Sequence, residues 1–174
     1  DDFKVDVVPA FKRKGGGYLI CNSGPDAFIS TDPKEHIRIA AAKNAAHDNR
    51  LVPVVKMIKA WNRSIDRHFR SFHLEVLAWK VFDGVTISDD PSAVRYFFDK
   101  ARALIPTKLA DPAGYSGDVA AYISTRPQID AAVSRLNTAL VRARHAEEYA
   151  AAGKTAAAYV EWRKIFGSYF PADG

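Results

Sequence analysis

The chain has 174 residues, of which 48% are hydrophobic and 26% are charged, a composition typical of a globular domain with its own core. No apolar run approaches the length of a membrane span. A single cysteine, Cys21, excludes an internal disulfide and favours a reducing, cytoplasmic compartment; we expect it to be a buried strand residue. The net charge of +5 permits binding to nucleotides or nucleic acid without requiring it.

The first thirty residues predict a β-hairpin and a loop. Phe3–Phe11 is a valine-rich strand pattern, Lys12–Gly17 is a turn with three glycines, and Tyr18–Asn22 is a second strand. Ser23–Ser30 has no regular pattern and is predicted to be loop. Because a hairpin needs a larger sheet as a partner, we expect the chain to be the C-terminal part of a longer protein.

The remainder predicts six helices, so the fold class is mainly α with an N-terminal β-hairpin. Asp-Pro pairs favour two of the helix starts, and a Thr-x-x-Gln capping box favours a third. The predicted helices are Asp32–Pro33 to about His47, Val52–Arg63, Phe72–Phe82, Asp90–Pro91 to about Ile105, Thr125 to about Ala151, and Lys154–Phe166. The third is apolar nearly all round and is predicted to lie at the domain centre.

The second predicted helix has two chemically opposite faces. Its apolar face carries Val54, Ile58 and Trp61. Its cationic face carries Lys56, Lys59 and Arg63 within an arc of roughly 60° at about 100° per residue. This cationic face suits a phosphate-rich ligand, although an ordinary solvated basic face has the same pattern.

Four further residues allow both a structural and a functional interpretation. Ser71 is either the N-cap of the third helix or an anion-binding hydroxyl at its start. Phe72 is either a core residue or a platform on which a base stacks. Glu75 lies among apolar neighbours and is either a structural partner, which we expect to pair with Arg63, Arg70 or Lys80, or a catalytic carboxylate. Asp6, within the valine strand, is either an exposed edge residue or a ligand of a cation.

Five sequence segments occur in the order found in one enzyme family. They are Val5–Phe11, Thr31–Pro33, Val55–Asn62, Ser71–Glu75 and the tail from Ala156 through Trp162–Phe166 to Pro171. Together they resemble the C-terminal portion of the bacterial cGAS/DncV-like nucleotidyltransferases. These enzymes make cyclic oligonucleotides in anti-phage signalling and are related to oligoadenylate synthases and, more distantly, to poly(A) polymerases.

The resemblance implies a role for each matching residue. Asp6 matches the third catalytic carboxylate, which helps to hold Mg²⁺ or Mn²⁺. Lys59 and Ser71 match residues that hold the donor triphosphate, and Phe72 matches the aromatic residue that stacks on the donor base. The predicted nucleotide-binding set is completed by Lys56, Thr31, Asp32 and Asp111, the last of these in a loop near the nucleotide cleft.

The implied fold is the helical C-terminal domain of a polymerase-β-like nucleotidyltransferase, which is α+β in the intact enzyme. Residues 1–30 would be the remnant of its catalytic sheet, and residues 31–174 the helical nucleotide-binding domain. The sequence has no Gly-Ser followed by Asp-x-Asp, so the chain alone is predicted to be inactive. Its expected partners are nucleoside triphosphates, the missing N-terminal half, and an activating protein or nucleic acid, with no membrane.

Two other functions fit the same residues. The chain could be a non-enzymatic helical module that contacts nucleic acid, using the basic charge that includes Arg135, Arg142 and Arg144. Alternatively, the intact protein could extend an RNA 3′ end, as tRNA and poly(A) nucleotidyltransferases do.

Overall fold

A computed structural model describes residues 7–21 and 28–171 of the chain. Its three short strands are β1 (Ala10–Lys12), β2 (Tyr18–Cys21) and β3 (Phe28–Thr31). Its helices are α1 (Pro33–Ala45), α2 (Leu51–Ser64), α3 (Ser71–Val81), α4 (Asp90–Leu104), α5 (Arg126–Ala151) and α6 (Thr155–Phe166). The predicted fold class, mainly α with an N-terminal hairpin, is confirmed.

The strands form one antiparallel sheet in the order β1-β2-β3. Phe11 pairs with Leu19 between β1 and β2, and Leu19 pairs with Ser30 between β2 and β3. The prediction of loop across residues 28–30 was therefore wrong, because that segment adds a third strand to the hairpin. Cys21 does lie in a strand, but it is exposed rather than buried.

The predicted helix bounds agree with the structure to within two residues, whereas two of the predicted caps do not. The α3 helix already includes Ser71, so its N-cap is Arg70, which makes no capping hydrogen bond through its side chain. The N-cap of α4 is Asp89, whose carboxylate accepts from the backbone N–H of Ser92. The capping box of α5 is present as predicted, with Thr125 and Gln128 as its two members.

The core lies between α2, α3, α4, α5 and α6. Trp61 of α2 packs against Phe69 and Phe98, with ring centroids 5.6 and 4.9 Å apart. Seven of the eleven residues of α3 are buried, so the prediction that this helix lies at the domain centre is confirmed. The central position of α3 fixes its first turn, which carries Ser71 and Phe72.

Two polar contacts anchor the C-terminal end of α2. The buried amide of Asn62 donates to the carbonyl of Phe69 and accepts from its N–H, at 2.7 and 2.9 Å. Ser64 Oγ lies 2.7 Å from the carbonyl oxygen of Trp61 and 2.5 Å from that of Ile165. The second contact joins α2 to α6 across 101 residues of sequence.

Candidate functional site: the start of α3 and the surfaces around it

The cationic face of α2 is present as predicted. Val54 and Ile58 are fully buried and Trp61 is 1% exposed, whereas Lys56 and Arg63 are exposed. Lys59 differs from the other two cations because it is half-buried and lies against α3. The apolar face of the helix therefore orients Lys59 toward the start of α3, while Lys56 faces solvent.

Lys59 forms an ion pair with Glu75. The Nζ atom of Lys59 lies 2.5 Å from Oε2 of Glu75, and both side chains are about a quarter exposed, at 25% and 26%. The prediction that Glu75 pairs with Arg63, Arg70 or Lys80 was wrong, because the residue that faces Glu75 is Lys59, one turn before Arg63 on α2. The pairing depends on how the faces of α2 and α3 pack against each other, and the sequence carries no local signal for that packing.

Ser71 lies on the same side of α3 as Glu75, one turn earlier, because residues at i and i+4 are neighbours on a helix surface. Leu74 makes the first main-chain bond of the helix, 3.2 Å from its N–H to the carbonyl of Arg70. The hydroxyl of Ser71 and the amides of the first turn are thus placed as at an anion-binding helix start. Glu75 thus has Ser71 as its helical neighbour on α3 and Lys59 as its ion-pair partner on α2.

A hydrogen-bonded cluster fixes the segment immediately before Ser71. The N–H of Arg70 donates to Tyr122 Oη at 2.9 Å, and the Arg70 guanidinium lies 4.5 Å from the centre of that ring. Tyr122 Oη also lies 2.8 Å from Nδ1 of the buried His73. Burial lowers the pKa of His73 to about 4, against a smaller opposing effect of the Asp118 charge. The contact between His73 and the phenol, together with the Arg70 bond, ties the start of α3 to the segment around Tyr122.

Phe72, the predicted base platform, is half-buried and contacts a histidine of α1. Its ring centroid lies 4.8 Å from that of His36, with the two planes at 60°. The same histidine is bonded to Asp111, with its Nε2 atom 2.7 Å from Oδ1 of the carboxylate. Phe72 and Asp111 are thus brought together through His36, which was not among the predicted site residues. The sequence separation of 75 between His36 and Asp111 left no local signal for the pair.

The Asp111 carboxylate organises its own loop. In addition to His36, it accepts the N–H groups of Ala113, Tyr115 and Ser116 and the hydroxyl of Ser116, at 2.8 to 3.0 Å. Burial alone would raise the pKa of Asp111, but these hydrogen bonds, led by that from His36, lower it to about 2. Asp111 is therefore an anion at any physiological pH, with both oxygens engaged by protein donors.

Thr31 and Asp32 lie where the sheet joins α1. Asp32 is the N-cap of α1, with Oδ1 accepting from the N–H of Glu35 at 3.1 Å. The carbonyl of Thr31 lies beside Gly17 in the hairpin turn, where an added Cβ would be 2.9 Å from the carbonyl oxygen and 3.0 Å from the ring of Tyr115. Tyr115 thus connects the loop of Asp111 to the hairpin turn.

A surface cavity of about 390 Å³ opens between the hairpin turn and the start of α1. Its lining includes four cations and two acids, namely Lys12, Arg13, Lys34, Arg38, Asp32 and Glu35. Two of these charges are paired with each other, because Arg38 makes a bidentate contact with Glu35. Asp32 is the member of this lining that was predicted to bind nucleotide.

The predicted metal ligand, Asp6, lies outside the described residues. Within the residues that the structure does describe, no group of three or more His, Cys, Asp or Glu side chains is placed to hold a metal ion. In that same part of the chain, no helix is both long and apolar enough to cross a membrane.

Comparison with known proteins gives a consistent assignment. Residues 1–44 match the profile of the Second Messenger Oligonucleotide or Dinucleotide Synthetase domain. A Bacillus cereus (strain VD146) protein named "probable cyclic nucleotide synthase" is 24% identical over 181 aligned residues, which cover 98% of this chain and 53% of the relative. The chain thus spans about half the length of the curated relative that it matches.

Solved structures share the fold. CdnC of E. coli MS115-1, solved with ATP, superposes with a TM-score of 0.75 at 21% identity, covering 95% of this chain and 60% of CdnC. CdnC in complex with HORMA-deltaN gives a TM-score of 0.69 at 19% identity, over 92% and 65% of the two chains. A mutant of the Vibrio cholerae di-nucleotide cyclase DncV, solved with ATP and GTP, gives 0.70 at 17% identity, over 90% and 42%. The chain is thus similar to the cGAS/DncV-like nucleotidyltransferases, by sequence and by fold, as its motifs predicted.

Proposed function

We propose that the chain is the nucleotide-binding part of a nucleotidyltransferase that makes cyclic or short linear oligonucleotide second messengers from nucleoside triphosphates in anti-phage defence. The observation that carries this proposal is the ion pair of Lys59 with Glu75, one helical turn after Ser71 on α3, in a fold shared with synthases solved with ATP or GTP. The profile match over residues 1–44 and the Bacillus relative support the same reaction class.

In this proposal Lys59 and Ser71 bind the donor triphosphate. A lysine ammonium neutralises phosphate charge as a point cation, and a helix start offers a hydroxyl and unpaired N–H groups to the phosphate oxygens. Phe72 stacks on the donor base, and the solvent-facing Lys56 contributes longer-range attraction for the polyanion. Thr31 and Asp32, at the junction of sheet and helices, border the same nucleotide.

Asp6 is proposed as the metal-binding and catalytic carboxylate. An aspartate oxygen is a ligand that Mg²⁺ or Mn²⁺ accepts, so the residue type fits this role. When bound, the metal would neutralise the triphosphate and activate the attacking hydroxyl. The sequence lacks Gly-Ser followed by Asp-x-Asp, so the other carboxylates must come from outside this chain and the isolated chain is expected to make no product.

The partners follow from the same proposal. They are nucleoside triphosphates, a catalytic segment that carries the missing carboxylates, and an activating protein or nucleic acid. The CdnC complex with HORMA-deltaN supports a protein partner of this kind. An exposed free thiol at Cys21 is compatible with a reducing cytoplasm. The division at residue 30 between catalytic sheet and helical domain remains part of the proposal.

Binding measurements test the nucleotide site. In the full-length protein, Lys59→Ala and Ser71→Ala should each weaken ATP binding by about 1.5–3 kcal/mol, the usual loss for one charge-assisted hydrogen bond. Lys164→Ala is the matched control, because Lys164 makes a similar 2.5 Å ion pair, with Glu161 on α6. Unchanged ATP and GTP affinity in both site variants would exclude the proposed site.

Product analysis tests the reaction. Asp6→Asn in the full-length protein should abolish product formation while leaving the fold intact, because the amide keeps the shape of the carboxylate and removes its charge. Mass analysis of products from mixed triphosphates should show small cyclic or short linear oligonucleotides. Extended RNA would instead indicate a 3′-end nucleotidyltransferase, and binding that falls steeply with salt and needs no metal would indicate a nucleic-acid-binding module.

A further inference from the structure

We infer that His36 is a positioning residue for the base-binding surface of Phe72, and that Asp111 holds His36 in place instead of contacting the nucleotide. This inference rests on the proposed function, because it concerns how the same nucleotide site discriminates a base from bare phosphates. It assigns a role to a residue that none of the matched sequence motifs includes.

Asp111 has no free oxygen to offer a ligand. Its side chain is fully buried, and its two carboxylate oxygens receive five protein donors from His36, Ala113, Tyr115 and Ser116. A carboxylate with two oxygens has about four lone-pair directions, so five donors leave none for a ribose or base. Any influence of Asp111 on a nucleotide must therefore pass through a neighbouring side chain.

His36 is that neighbour. An ionised carboxylate can only accept, so the Nε2 atom, 2.7 Å from Oδ1, carries the proton and donates. This bond fixes both the tautomer and the rotation of the imidazole ring. The same imidazole ring lies beside Phe72, with centroids 4.8 Å apart and planes at 60°. The imidazole of His36 thus supports the phenyl ring of Phe72 from the α1 side.

A phenyl ring that is held in one rotamer binds a base at a lower entropic cost than a ring that is free to move. Phe72 is only half-buried, so without a neighbour its ring could change rotamer and would lose that freedom each time a base is bound. Holding the ring in advance removes this cost from binding. The effect concerns only the base, because the triphosphate contacts proposed for Lys59 and Ser71 lie on the α2 side of α3.

A base-free probe separates these two contributions. We would measure the affinity of the full-length protein for ATP and for inorganic tripolyphosphate, which keeps the phosphates and lacks the base. His36→Ala should weaken ATP binding roughly fivefold to tenfold, the range expected for partial loss of one base–aromatic stack, and leave tripolyphosphate binding unchanged within about twofold. His145→Ala, at an exposed position of α5, is the control and should alter neither affinity.

Two further variants keep the test decisive if His36→Ala does not fold. His36→Gln can still donate to Asp111 but lacks the aromatic ring, so it should lose ATP affinity selectively. His36→Phe keeps an aromatic contact with Phe72, so it should retain more ATP affinity than His36→Gln. Equal loss of ATP and tripolyphosphate binding, or no selective loss of ATP in any His36 variant, would overturn the inference. If the wild-type protein bound neither probe, the proposed function would fail with it.

Discussion

The ammonium of Lys59 and the carboxylate of Glu75 lie 2.5 Å apart, so the lysine proposed to bind a triphosphate already has an anionic partner. Glu75 can act on the site in two ways. It holds the lysine in place next to the start of α3, and it competes with an incoming phosphate for the same charge. Because a triphosphate carries several negative charges and Glu75 carries one, the competing and repulsive effects should dominate.

Glu75→Gln should therefore strengthen triphosphate binding. The amide keeps the shape of the side chain and removes a negative charge near the phosphates, and we expect a gain of about 1 kcal/mol for this partly exposed pair. Isothermal titration with tripolyphosphate and ATP at fixed ionic strength would measure it. The variant Glu161→Gln, which frees Lys164 on α6, should leave both affinities unchanged. A weaker affinity in Glu75→Gln would show that Glu75 serves mainly to position Lys59.

Replacing Asp111 should destabilise the protein in a pH-dependent way. The pKa of Asp111 is lowered to about 2, so its ionised form stabilises the native state at neutral pH, and this contribution disappears as the pH falls from about 4 toward 2. Asp111→Asn should cost about 2 kcal/mol in the free energy of unfolding at pH 7. Urea unfolding at several pH values would show whether the difference from wild type shrinks in acid. Asp130→Asn, at an exposed position of α5, should show no comparable dependence.

His73 should make the native state sensitive to mild acid. Its pKa is lowered by burial to about 4, so between pH 6.5 and pH 4 the unfolded state binds a proton that the native state does not. The free energy of unfolding should therefore decrease as the pH falls through this window, by up to about 3 kcal/mol. His73→Gln should remove this part of the slope. An imidazole NMR titration of His73 with a midpoint near 6.5 would contradict the prediction.

Glycine at position 17 should be required by its surroundings and not only by its backbone angle. Gly15 and Gly17 both have positive φ, at 99° and 70°. An added Cβ at Gly17 would meet the Thr31 carbonyl at 2.9 Å, whereas one at Gly15 would meet nothing within 4 Å. Gly15→Ala should cost about 1–2 kcal/mol through strain alone, and Gly17→Ala distinctly more. Amide exchange of the β2 and β3 residues would report the difference as local opening.

Periodicity and capping chemistry predicted the helices well. The spacing of Val54, Ile58 and Trp61, with cations between them, predicted α2 and its two faces correctly. A helix that is buried on one side shows apolar residues at this helical spacing. The capping box at Thr125 located the start of α5 for an equally local reason. The third strand was missed because Phe28–Thr31 is only four residues long and lacks the alternation of a half-buried strand.

The contacts around the site were much less predictable. Lys59, Ser71, Phe72 and Asp111 were selected from motifs, but their partners Glu75 and His36 come from the packing of separate elements. Ser71 was considered as the cap of α3, but the N-cap is Arg70, whose N–H is bonded to Tyr122 in a distant segment of the chain. Such pairings depend on which helix faces lie opposite each other, which no local pattern encodes.

The bond from Ser64 to the carbonyl of Ile165 has a consequence for how the protein is made on the ribosome. The C-terminal end of α2 is closed by a residue synthesised 101 positions later. Until α6 has left the exit tunnel, the helix that carries Lys56 and Lys59 lacks its final neighbour, although its own sequence has long been translated. This anchor of α2 therefore forms only after α6 has been synthesised.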